Sequence, residues 1–94
     1  MANETESTKI LLVSKNPDVI QSTEEYLAEE KSLALIQEEI TPGNMFSVIE
    51  STQPEVILID FNFQENPFNL VDRVVSEYPA SAVIAILPED RVIN

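Results

Sequence analysis

Glu55-Val56-Ile57-Leu58-Ile59-Asp60 is a short, unbroken apolar run that ends in a carboxylate. A run of this length, rich in β-branched residues, reads as a strand buried on both faces, the environment of a parallel sheet. Its last residue, Asp60, then sits at the carboxyl edge of that sheet. Open α/β folds place their binding and chemistry at this edge.

Working outward, Lys9-Ile10-Leu11-Leu12-Val13 is a second buried-strand candidate, followed by Ser14 and Lys15. Asn16-Pro17-Asp18 is a helix start, with an Asn cap, Pro at the first helical position and an acid in the first turn. That helix is expected to reach about Glu30, with Ile20, Thr23 and Leu27 facing inward and Tyr26 beside them. Leu33 to Ile40 reads as an edge strand, less apolar than the others. Thr41-Pro42-Gly43-Asn44 is a turn. Met45 to Thr52 is a short helix with Met45, Phe46 and Ile49 inside. Asn66-Pro67 repeats the capping signal and opens a helix carrying Leu70, Val71, Val74, Val75 and Tyr78 at three- and four-residue spacings. Pro79 stops it. Ala82 to Leu87 is the fourth strand, and Glu89 to Asn94 has the pattern of another helix start.

The order is β-α-β-α-β-α-β. Strands of this kind pair in parallel, with helices on both faces. The polar, acidic start, Met1 to Thr8, reads as a frayed tail, leaving 9–94 as a single domain.

Composition narrows the function classes. The 94 residues include no cysteine and no histidine, which removes disulfides, thiolate chemistry, zinc fingers and a Ser-His-Asp arrangement. The one glycine, Gly43, leaves no glycine-rich phosphate loop to write. With 17 acidic and 5 basic residues the net charge is -12, which disfavours nucleic acid and anionic membrane surfaces as partners. The bland reading of this charge is solubility; the sharper one is an acidic docking face. The start has no signal-peptide pattern and no run is long enough to span a bilayer, so a cytoplasmic location is expected. The pairs Glu24/Glu25, Glu29/Glu30 and Glu38/Glu39 are solvated faces rather than catalytic dyads.

In element order, and in the Asp at the end of the third strand, residues 9 to 90 resemble a response-regulator receiver domain. The resemblance implies a flavodoxin-like three-layer αβα sandwich with strand order 2-1-3-4. The family's fifth strand has no counterpart in this sequence. In a receiver, two acids at the end of the first strand hold Mg²⁺ and the third-strand Asp accepts a phosphoryl group from a histidine kinase. A Ser or Thr ending the fourth strand and a Lys ending the fifth read the phosphorylated state. Asp60 falls on the acceptor position. Asn62 falls where the family's metal-coordinating backbone carbonyl lies. Ser14 and Lys15 stand in place of the acidic pair, and Leu87 in place of the switch hydroxyl. Gln64 occupies the place of the usual Pro of the acceptor loop.

One acid is a poor Mg²⁺ site, and phosphoryl transfer needs a cation to neutralise the moving oxygens. Lys15 is therefore expected to pair with Asp60 in the metal's stead. Leu87 cannot donate a hydrogen bond, which removes the usual readout. The sequence thus resembles an atypical, or pseudo-, receiver, such as those that open the pilus-assembly localisation ATPases. Its expected role is signalling through protein–protein contact, by homodimerisation or partner docking, with no cofactor and no catalysis of its own. The alternative is a phospho-accepting receiver of a two-component phosphorelay using Asp60 and Mg²⁺. The bland reading of Asp60 is a strand-end residue that caps a loop. Phe61, Phe63 and Phe68 form either an apolar docking patch or, for two of the three, packing under the acceptor loop. Val83, Ile84 and Ile86 lie on a strand with no fifth neighbour, an apolar edge that invites pairing and self-association.

Overall fold

Four parallel strands, β1 (Thr8–Val13), β2 (Leu33–Leu35), β3 (Val56–Asp60) and β4 (Ala82–Ile86), form one sheet in the order β2-β1-β3-β4. The computed structural model describes residues 7–87. Three helices connect the strands: α1 (Pro17–Ala28), α2 (Met45–Thr52) and α3 (Pro67–Glu77). The architecture is α/β and flavodoxin-like, as the element order implies.

Strand alternation assigns the layers. Leu11 and Val13 of β1, with Ile57 and Ile59 of β3, point to the face covered by α2 and α3. There they pack with Met45, Val48, Ile49, Leu70 and Val74, all buried. Ile10 and Leu12 point the other way, toward α1, which contributes Leu27 and Ile20. The register sets Ile10 against Val56, Leu12 against Leu58 and Leu58 against Ile84. Each row of side chains therefore runs across the sheet on one face.

Several boundaries differ from the sequence expectation. β2 ends at Leu35 rather than Ile40. The Ile36 N–H still bonds to the Ile10 carbonyl, but Gln37, Glu38 and Glu39 then leave the sheet for solvent and Ile40 returns to the core. Two consecutive carboxylates favour water over a ladder position. Thr8 belongs to β1, paired with Leu33, so the sheet begins inside the stretch read as a tail. Val48 joins the inner face of α2, while Phe46 is half-buried at its margin, stacked on Tyr78 with ring centroids 6.1 Å apart. Tyr26 is not beside the core but 74% exposed, and Val75 is 50% exposed. The helix start expected at Glu89 to Asn94 lies outside the described residues.

The caps also divide. Asn16 accepts the Asp18 N–H through its side chain, at 2.9 Å. Asn66 precedes Pro67 in the same way but makes no side-chain cap bond. The Thr41–Asn44 turn is locked instead by reciprocal bonds: the Thr41 N–H donates to Asn44 Oδ1 and the Asn44 N–H to Thr41 Oγ1.

Candidate functional site at the carboxyl edge of the sheet

β1 and β3 are neighbours, so the residues that end them meet. Ser14 follows β1 and Asp60 closes β3; both are 5% exposed. The Ser14 hydroxyl donates to Asp60 Oδ2 at 2.8 Å and accepts the Asn16 N–H at 3.1 Å. The other carboxylate oxygen, Oδ1, accepts the Asn62 N–H at 3.0 Å. The Phe63 N–H bonds to the Asp60 carbonyl, closing the turn that follows β3. Burial of a carboxylate requires such partners, and among the described residues no buried side-chain polar atom lacks one. The group is thus both strand end and loop cap.

Lys15 does not pair with Asp60. Among the described residues the one ion pair within 4 Å is Arg73–Glu77, on the surface of α3. The Lys15 ammonium lies 5.7 Å from the centroid of the Phe63 ring, a cation–π contact. The reason is directional. Ser14 continues the strand alternation inward and takes the carboxylate, while Lys15, one residue on, is exposed. Its amphipathic stem reaches the loop from outside.

Phe61 and Phe63, 6% and 1% exposed, pack under the loop, and only Phe68 presents surface, at 69% exposure. Phe68 meets Phe61 edge-on, with centroids 4.9 Å apart. An open depression of about 540 Å³ beside them is lined by Lys15, Asn62, Gln64 and Glu65; Asp60 does not line it. Leu87 lies one residue beyond Ile86, the register partner of Asp60, and is 43% exposed. The structure therefore joins Ser14, Asp60 and Asn62 by hydrogen bonds, places Lys15 over the adjoining loop, and leaves Leu87 at the surface.

Among the described residues no three of the His, Cys, Asp or Glu type converge in a way that would hold a metal ion. Among the described residues Asp60 is the only buried acid at this edge.

A second cluster, at the opposite end of the sheet, escaped the sequence reading. The Tyr78 hydroxyl donates to Glu50 at 3.2 Å, and Ser81 donates to the Pro54 carbonyl at 2.7 Å. Burial and the Glu50 carboxylate hold the Tyr78 phenol above its ordinary value; Glu77 adds to this and Arg73 opposes it. No periodic signal pairs residues 28 apart, so only the fold reveals this contact.

Fold and edge geometry define a doubly wound α/β domain whose third strand ends in a buried, hydrogen-bonded aspartate. Comparisons with protein-family models, curated proteins and solved structures find no match for this chain.

Proposed function

We propose that this chain is a receiver-like module that acts by protein–protein contact, through self-association or partner docking, without metal-dependent phosphorylation. The observation that supports it is the bonding of Asp60. Both carboxylate oxygens are engaged, one by a hydroxyl that stands where a receiver supplies an acid. A phosphoryl acceptor needs an oxygen free to attack and a cation beside it. Here the oxygen facing β1 is committed to Ser14, and the nearby ammonium of Lys15 lies over an aromatic ring. The tie holds two strand ends together, as a scaffold requires.

The test is incubation with beryllofluoride and Mg²⁺, followed by ¹⁵N–¹H correlation spectra of the wild type and Asp60→Asn. The proposal expects no shifts at Asn62, Phe63 or Leu87. Shifts that appear in the wild type and vanish in Asp60→Asn would favour the phospho-accepting alternative.

A further inference from the structure

Parallel sheets carry helices on both faces because both faces are apolar. Among the described residues α2 and α3 cover one face, whereas α1 alone lies on the other. The groove between α1 and the chain after β2 contains Ile20 and Glu24, and a neighbouring depression contains Leu27, Ala28 and Lys31. This flank of α1 therefore faces β2. At 100° per residue, Val19 and Tyr26 fall on the opposite flank, toward β3.

What α1 leaves uncovered is the outer half of the sheet. Val56 and Leu58 of β3 are only half-buried, Ile86 likewise, and Ile84 is 51% exposed. The register places these side chains in adjoining rows on one face. Tyr26, 74% exposed, is on the flank of α1 that turns toward them. Two strands about 4.8 Å apart make a floor roughly 10 Å wide. That width fits one α-helix, about 10 Å across, seated beside α1 at an ordinary interaxial distance.

Charge selects among occupants. The exposed surface of α1 carries Asp18 and Glu25 and no cation, Glu29 and Glu30 follow its last turn, and Glu55 lies at the amino end of β3. Of the basic residues described, Lys9 bonds to the Thr52 carbonyl, Lys31 faces β2, Arg73 is on α3 and Lys15 is over Phe63. None borders the uncovered half-sheet. A second copy would bring another net charge of -12 against this acidic wall.

We infer that the uncovered face of β3 and β4 beside α1 is a docking groove for a basic amphipathic helix of a partner protein. The inference rests on the protein-contact reading and names its surface and partner chemistry. The helix lays an apolar stripe at i, i+3, i+4 and i+7 on Leu58, Ile84 and Ile86. Its Lys and Arg residues meet the acids of α1.

The test titrates the full chain with two synthetic helical peptides of about 15 residues that share one Leu/Ile stripe, flanked by Lys/Arg in one and by Glu in the other. The basic peptide is expected to bind, with amide shifts confined to Tyr26, Leu58, Ile84 and Ile86. Ile84→Asp and, as a folding-neutral variant on the helix wall that adds a like charge, Tyr26→Lys each weaken binding of the basic peptide by roughly tenfold or more. Equal binding of both peptides, shifts outside this face, or affinity unchanged in both variants would overturn the inference. A dimer in light scattering that Ile84→Asp returns to monomer would also overturn it, in favour of self-association on this face, while leaving the protein-contact reading intact. Failure of that reading shows separately, as beryllofluoride shifts that require Asp60.

Discussion

The Ser14 hydroxyl reaches across from the end of β1 to the Asp60 carboxylate at 2.8 Å, and both groups are buried. This bond joins residues 46 positions apart. Ser14→Ala leaves Asp60 Oδ2 and the Asn16 N–H without a partner. Loss of a buried partner of this kind is expected to cost about 1–3 kcal/mol. Urea unfolding with an unchanged m-value checks it.

The cation near Asp60 is expected to be energetically uncoupled from it. A double-mutant cycle of Lys15→Met with Asp60→Asn should give coupling close to zero, and Lys15→Met alone a loss of about 0.5–1 kcal/mol, the size of an exposed cation–π contact. The cycle of Ser14→Ala with Asp60→Asn should give clear coupling. Coupling larger in the Lys15 cycle than in the Ser14 cycle would restore the ion pair that the geometry lacks.

Tyr78 fixes a pH dependence whose sign follows from its surroundings. Its phenol is raised above 10.0 by burial first and by Glu50 second. The folded chain thus holds this proton at pH values where the unfolded chain has released it. The contribution is fully present below about pH 10, the unfolded value, and is lost as pH rises through the folded one. In a Tyr26→Phe background one phenol remains, and its absorbance at 295 nm should titrate above 10. Glu50→Gln should bring that midpoint down.

Gln53, at the end of α2, has φ 51° and ψ 61°, the left-handed region. It is the one non-glycine residue with positive φ among the described residues. Glycine takes this conformation without the Cβ penalty. Gln53→Gly is expected to stabilise the chain by up to about 1 kcal/mol, the side-chain penalty less the entropy glycine adds to the unfolded state. A lower melting temperature would mean that the Gln53 side chain makes a compensating contact.

The sheet was legible in the sequence because buried parallel strands are short and nearly all apolar, as Ile10–Val13 and Val56–Ile59 are. Strand order came from the receiver resemblance, and with it the meeting of Ser14 and Asp60. The partner of Asp60 was not legible. Ser14 and Lys15 are adjacent in sequence, and charge alone favoured the lysine, whereas strand alternation sends the serine inward. Asn16 and Asn66 look identical before Pro, yet only Asn16 caps its helix: its backbone is extended, at φ -87° and ψ 115°, whereas Asn66 has φ -118° and ψ 70°, a difference set by the loops that lead into them. Phe61, Phe63 and Phe68 crowd one loop, and which of them turns outward depends on where α3 begins.

The amino end of the sheet carries a consequence for how the chain assembles. Ser81 bonds to Pro54 across 27 positions, whereas the seam between β1 and β3, where Lys9 meets Glu55, spans 46. Closing the longer loop costs roughly 0.5 kcal/mol more in chain entropy. β1-α1-β2 and β3-α3-β4 are each a unit of one helix and two strands, and the costlier closure is the one that brings Leu11 and Val13 of β1 onto the core they share with Ile57 and Ile59 of β3. Native-state hydrogen exchange would then see the central β1–β3 ladder, once closed, persist, with the three-pair, partly buried β2 margin opening before it.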